Sequence, residues 1–222
     1  SVNSSVTCGV GNFVTMSYPE KYEEKLKRWS FDTLLFLPDK FLYKVIPSVE
    51  KQFYIVKGVL NREDVETIYV CTDSGREGEY IYRLVEQMAG VHDKKEKRVW
   101  IDSQTEEEIL KGIRTAKDLS EYNNLSDAAY LRAKEDYLMG INFSRVLTLK
   151  YGRNISNYLK TDRTVVSVGR VMTCVLGMIV RREREIRAFV KTPFFRVITK
   201  AQIAESSFEA DWRVTETSSY YQ

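Results

Sequence analysis

Apolar positions along the chain switch between two periods. Thr67-Ile68-Tyr69-Val70-Cys71 is a short β-prone apolar run and predicts a buried strand. It stops at Asp73-Ser74-Gly75, a turn composition. From Glu79 to Met88 the spacing becomes helical, with Ile81, Leu84, Val85 and Met88 on one side, and Gly90 follows as a helix stop. Arg98-Val99-Trp100-Ile101 reads as a second strand. Thr105-Glu106-Glu107-Glu108 reads as a capping box opening a helix to about Ala116. Strands alternating with helices predict a parallel α/β sheet. Upstream, Gly9 to Val14 reads as a turn feeding a short strand, broken at Tyr18-Pro19-Glu20, and the apolar stretch Trp29 to Leu37 ends at Pro38.

After Lys117 the character changes. Ser126 to Lys150 keeps an approximate helical phase through Leu131, Leu138, Val146 and Leu149, with Gly140 marking a kink or a break. Gly152 to Thr164 reads as a polar loop. Arg170 to Ile186 is helical again, with Val171, Val175, Met178, Ile179 and Ile186 on one face, and Lys191-Thr192-Pro193 ends it. Phe194 to Ala201 and Phe208 to Val214 alternate like strands. These changes place boundaries near 118 and 192: residues 1–118 as an α/β domain, 119–191 as a helical domain and 192–222 as the opening strands of a β domain. No repeat and no low-complexity segment interrupts them.

Composition is that of an ordinary globular chain: 222 residues, 43% hydrophobic and 29% charged. No apolar run approaches the ~20 residues of a membrane span. Ser1 to Ser5 lacks the basic region of a signal peptide, and without a starting Met the chain reads as processed or as a piece of a longer one. Cys8, Cys71 and Cys174 are few, odd in number and far apart, which fits reduced thiols in a cytoplasm and no zinc site. His92, in Val91-His92-Asp93-Lys94-Lys95, reads as a surface-loop residue. The net charge of +3 hides an asymmetry: Phe143 to Val190 holds ten Lys or Arg against three Asp or Glu, +7, leaving −4 for the rest. Such a basic block suits either a nucleic-acid surface or a solvated helix face.

Two constellations carry chemistry. Thr72-Asp73-Ser74-Gly75-Arg76-Glu77-Gly78-Glu79 puts two or three carboxylates where a strand ends and a helix begins, the crevice in which open α/β sheets bind ligands. Clustered carboxylates call for a cation, and hard oxygens with room for water suit Mg²⁺. Arg76 offers a forked donor to a phosphate. Helix capping explains the same residues without a ligand. Ser167-Val168-Gly169-Arg170-Val171-Met172-Thr173 opens a helix whose amides can face a phosphate. Arg170, Arg181 and Arg184 are spaced to share a face, and with Arg145 and Lys150 they suit a DNA backbone as well as plain solvent. Between the two, Asp136 lies four residues after Arg132, as in an intrahelical pair. Asn142 and Arg145 suit a phosphate contact or a cap at Gly140. Most of the aromatic residues read as core, a few as stacking platforms for unpaired bases.

With these blocks in hand, the chain resembles the type IA DNA topoisomerase family, in its topoisomerase III branch. Thr72 to Glu79 is similar to the family's Asp-x-Asp-x-Glu-Gly-Glu signature in a Toprim domain. Arg98 to Thr105 is similar to the strand and helix start that follow. Arg132-Ala133, Asp136 to Asn142 and Arg145 resemble the next block, and Ser167 to Thr173 with Arg181-Arg182-Glu183 resembles the Ser-x-Gly-Arg-Val-Gln-Thr helix. The resemblance implies a Toprim Rossmann-like sheet lacking its first strand, then a helical single-stranded-DNA-binding domain. It further implies an Mg²⁺-dependent enzyme that cuts one DNA strand through a phosphotyrosine link, passes another and reseals. Carried over by position, Asp73 and Glu77 are its acidic, metal-holding pair, with Arg76 as an accessory. Arg170 is a strand contact, with Ser167, Gly169, Thr173, Arg145 and Arg181 beside it. The implied setting is the bacterial cytoplasm, on a monomer with no small-molecule cofactor. The departures are Gly75 in place of the second Asp, Asn12 after Gly11 in place of a His, and Met172 in place of Gln. No Tyr sits in a Tyr-Pro-Arg-Thr context, so the family's nucleophile is expected after Gln222, and the chain alone is expected to bind but not cleave. A primase- or nuclease-like Toprim enzyme and a strand-binding module without catalysis are the alternatives.

Overall fold

In the computed structural model the described residues are 4–9, 11–213 and 215. Val10 of the expected first turn and Val214 at the end of the expected last strand lie outside them, as do residues 1–3. The chain divides into two compact units, Ser1–Thr173 and Cys174–Gln222.

The first unit is mixed α/β. Strand β1 (Val14–Met16) pairs antiparallel with β2 (Tyr43–Val45), and three short 3-10 turns lie between them. Helix α1 (Glu50–Leu60) leads to β3 (Thr67–Val70), then α2 (Arg76–Ala89), β4 (Lys95–Arg98), α3 (Glu106–Arg114), β5 (Lys117–Asp118) and α4 (Asn123–Leu159). The core lies between α1, β3 and α2: Phe53, Val56 and Leu60 meet Ile68, Val70, Leu84, Val85 and Ala89, with Phe13 and Leu119 at its margins. Burying these side chains, each contributing about 1.5–3 kcal/mol, drives the unit together. Gly90 ends α2 in the left-handed conformation, φ +67°, that a glycine adopts without strain.

The α/β expectation holds, with local corrections. β3 and β4 are parallel, but β5 runs antiparallel to β4, so the sheet is not wholly parallel. β5 has only two residues because Asp118 immediately becomes a cap, its Oδ1 accepting from Ser120 N at 3.0 Å. The second strand is Lys95–Arg98 rather than Arg98–Ile101. Its register is set by β3, and Val99 N makes the last bond across, to Val70 O at 3.0 Å. Thr105 caps α3 as expected, accepting from Glu108 N. α2 is buried on more than the expected side: Gly78, Glu79 and Tyr82 are covered as well as Leu84 and Val85, because the helix packs on both α1 and α4.

The largest revision is α4. It runs unbroken for 37 residues, so Gly140 is neither kink nor break, and the expected loop from Gly152 is helix as far as Leu159. Gly140, Ser144, Thr148 and Gly152 recur every four residues on one stripe. The chain after α4 turns back along it, antiparallel. Val168 N donates to Ser144 Oγ at 2.8 Å and Val166 N to Thr148 Oγ1 at 2.9 Å. A Cβ on Gly152 would stand 3.0 Å from Thr164 O, so the glycine is what lets this segment lie flat.

In the second unit, α5 (Arg170–Arg187), which begins in the first, is followed by a hairpin of β6 (Ile198–Ile203) and β7 (Ser206–Asp211). The expected strands are therefore present, displaced by a few residues. The apolar stripe of α5, including Val175, Met178, Ile179 and Ile186, is exposed. No helix among the described residues is long and apolar enough to cross a membrane.

Candidate functional site

The loop between β3 and α2 sits where the two parallel strands end, and its own chemistry shapes it. Thr72 Oγ1 donates to Gly78 O at 2.7 Å, Gly75 N to Asp73 O at 2.9 Å, and Ile101 N to Ser74 Oγ at 2.9 Å. Gly78 packs against the backbone of Asp73: a Cβ there would come within 2.7 Å of Asp73 N and closer still to its carbonyl. Any larger residue would push the loop off the helix.

Beneath the loop lies a buried ionic network. Arg98 and Glu79 are both 0% exposed and meet at 3.1 Å. Arg98 Nη1 donates to the carbonyls of Val70, Thr72 and Val99 at 3.1, 2.7 and 3.1 Å, and Nη2 donates to Asp73 O. The other oxygen of Glu79 accepts from Arg83 Nε at 2.9 Å. Arg83 Nη2 in turn donates to Leu119 O and to Asn123 Oδ1 at 2.8 and 2.9 Å. Burial pulls the Arg98 guanidinium below its usual range, and the Glu79 charge works against that pull. Losing one partner of so desolvated a pair costs about 3–5 kcal/mol, because the other charge is left stranded. The network therefore fixes the Asp73 backbone and ties the loop to the start of α4. It also corrects the sequence reading: Glu79, the third carboxylate of the cluster, is consumed as a structural anion and is not open to a ligand.

Three side chains of the loop remain free for chemistry. Asp73, Arg76 and Glu77 are all exposed, at the same end of α2. Glu77 Oε1 accepts from Asn12 Nδ2 at 3.4 Å, which brings a residue from before β1 to the loop. Among the described residues no three His, Cys, Asp or Glu side chains converge as a metal cluster. The loop offers two carboxylates, as the Gly75 departure implies.

The second constellation lies on and after α4. Arg170 grips Asp136 through two nitrogens, Nη2 at 2.8 Å, with Glu135 at 3.9 Å from Nη1. Asp136 thus pairs with Arg170 and not with Arg132, the partner its spacing suggested. The guanidinium keeps 42% of its side chain exposed. Ser167 and Thr173 are exposed beside it, and Gly169 is half-buried. Arg145 is not at the surface: it is 3% exposed against the Trp29 ring, with Nε and Nη1 lacking a hydrogen-bond partner. Asn142 contacts the chain itself, clamping Phe36 by Oδ1 to its N at 2.7 Å and Nδ2 to its O at 2.9 Å. Arg181 and Arg184 are exposed in the second unit. α4 links the constellations: Asn123 receives the network from the acidic loop, and Asp136 holds Arg170 about 20 Å farther along the helix at 1.5 Å per residue.

The DNA topoisomerase family profile matches residues 120–221, that is α4, α5 and the hairpin. DNA topoisomerase 3 of Bacillus subtilis strain 168 is 37% identical over 192 residues, 86% of this chain and 25% of that protein. DNA topoisomerase 3 of Shouchella clausii is 36% identical over 211 residues, 95% and 27% respectively, and that of Staphylococcus aureus strain USA300 is 33% identical over 210 residues, 95% and 28%. The chain spans about a quarter of the length of these relatives. By sequence, then, it is a relative of the bacterial DNA topoisomerases, similar over most of its length to a part of topoisomerase 3.

Proposed function

We propose that this chain is part of a type IA enzyme that breaks, passes and rejoins single DNA strands in a bacterial cytoplasm, and that its first unit is a Toprim domain. One observation carries the reading: Asp73, Arg76 and Glu77 stand exposed on a loop that a buried Arg98–Glu79–Arg83 network holds rigid. A loop kept this still serves chemistry that depends on position. The exposed carboxylates fit Mg²⁺, being hard oxygen donors, and the single long bond to Glu77 leaves its oxygens largely free. Asp73 and Glu77 would hold the ion, which when bound would neutralise phosphate charge. Arg76 gives a forked donor to the same phosphate. Arg170, pre-oriented by Asp136, contacts the strand through the part of its guanidinium left exposed, with Ser167 and Thr173 at the helix entrance.

The sequence carries no Tyr-Pro-Arg-Thr segment, and strand cleavage needs an activated nucleophile. We therefore expect this chain to bind a single-stranded oligonucleotide without relaxing supercoiled plasmid. Fluorescence anisotropy with a labelled strand tests the binding half: Arg170→Ala weakens affinity and lowers the slope of log K against log salt by about 1. Equal affinity and slope in the variant would remove Arg170 from the interface. Calorimetry tests the metal half: weak Mg²⁺ binding is abolished by Asp73→Ala, and tight binding indifferent to that change would show the ion lies elsewhere. The presence of only two open carboxylates favours, as a second reading, a module that grips a strand without cutting it. Both readings share the Arg170 prediction.

A further inference from the structure

A cleft of about 720 Å³ opens at the far end of α4, away from the acidic loop along the chain. Its lining comes from three places. Arg153, Ser156 and Asn157 come from the last turns of α4, Asp162 and Arg163 from the returning segment, and Lys27, Arg28 and Trp29 from the end of a 3-10 turn far upstream. The volume is in the range of ligand sites, about 300–1,000 Å³. The charge is lopsided: Lys27, Arg28, Arg153 and Arg163 face one acid, Asp162. Among the described residues none of the four forms an ion pair.

A helix C-terminus attracts cations only within its last turn, where α4 carries none, so it does not account for Arg153 or for Arg163 beyond the cap. Nor does it account for Lys27 and Arg28, which another element brings to the same concavity, or for Trp29. Arg163 lies 5.8 Å from the centre of that ring and the buried Arg145 lies 5.2 Å from it. Arg145 brings a further positive charge, with two nitrogens unpartnered. Like charges gathered around a concave surface repel, and a phosphate group in the cleft would neutralise them. The hydroxyls and amide of Ser156, Asn157, Thr161 and Thr164 offer neutral donors to the same oxygens.

We infer that this cleft is a phosphate-binding subsite that seats the backbone of a single nucleic-acid strand, with the half-buried Trp29 as its aromatic wall. The subsite rests on the strand-handling reading above, and it adds a grip about 25–30 Å along α4 from Asp136, the residue that holds Arg170. Its residues were not singled out by sequence because Lys27-Arg28-Trp29 and Arg153 to Arg163 are more than a hundred positions apart.

Titration of the 222-residue chain with an unlabelled oligo-dT strand, followed by tryptophan emission, tests it. The chain has three Trp, so Trp29→Phe identifies which share of the signal belongs to the cleft. We expect oligo-dT to quench Trp29. We expect Lys27→Ala/Arg153→Ala/Arg163→Ala to remove the quenching, weaken binding about tenfold and lower the salt slope by about 2. Inorganic phosphate at equal phosphate concentration should quench far less, since a strand engages several cations at once. If phosphate alone matches the strand, the site takes a free anion and the strand assignment falls. If the strand binds with Trp29 silent and the triple variant unaffected, while Arg170→Ala weakens binding, the cleft is wrong and the wider reading stands. If no strand binds, both fall.

Discussion

At Gly75 an added Cβ would meet nothing within 4 Å, and its φ of 176° is extended backbone that any residue adopts. Three residues on, Gly78 has no such freedom, because Asp73 backbone fills the place of its Cβ. The contrast separates two glycines that look alike in the sequence: one is a geometric necessity and the other a missing side chain. Gly75→Asp should therefore fold normally and add a third carboxylate beside Asp73 and Glu77. We expect Mg²⁺ affinity, read by calorimetry, to rise at least about tenfold, the size of one added carboxylate–cation contact partly screened by water. Thermal stability should stay near that of the parent. An unchanged affinity with the fold intact would show that position 75 does not face the ion. The acidic cluster was legible from spacing, and the family resemblance narrowed it to Asp73 and Glu77. The burial of Glu79 was not legible, since its partner Arg98 is nineteen residues away and has only a charge at the edge of an apolar run to mark it.

Among the elements, α2 and α4 teach opposite lessons about what a pattern reveals. The helical phase of α2, its turn and its glycine stop could be read locally, because each is satisfied within a few residues. α4 could be read as a helix but not in extent, because Gly140 and Gly152 serve a segment that returns from beyond its end. A glycine that costs about 1 kcal/mol as helix former is offset there by packing that no local window contains. α2 also carries a titratable contact. Burial, and after it the negative charge of Glu96 on β4, push the Glu86 carboxyl up to about 7. Arg83, 3.8 Å away, works against them, and Tyr82 donates its hydroxyl to Glu96. The folded chain therefore keeps a proton on Glu86 up to about pH 7, whereas the unfolded chain loses it near the ordinary value of 4.5. Between those values the folded state binds more protons, so stability falls as pH rises through that window and levels off above it. Glu86→Gln should remove this slope and raise the melting temperature at pH 8 relative to the parent. Parallel pH profiles for the two proteins would exclude the coupling.

For the molecule as a whole, burial is distributed as unevenly as charge. The hydrophobic core lies entirely in the first unit, whereas every described residue from Val171 onward is exposed except the half-buried Ala201. A single hairpin is marginally stable in water, and α5 exposes Val175, Met178, Ile179 and Ile186 instead of burying them. Local stability should then fall steeply after Thr173, since few apolar contacts and solvent-exposed backbone bonds mark the segments that open first. Arg181, Arg182, Arg184 and Arg187 give trypsin its sites on that helix. Brief digestion should cut there first, leaving a fragment that ends between 181 and 187 and resists further cleavage, as mass spectrometry would show. The many Lys and Arg of the first unit should survive longer, because cleavage there requires opening the core built on Phe53, Val70 and Leu84. Equal rates in both units would mean that α5 is held by contacts as strong as those of the core. The same gradient bears on function. On that expectation the Arg170 end of α5 is held by Asp136, and the cations beyond Thr173 would be ordered by whatever they bind.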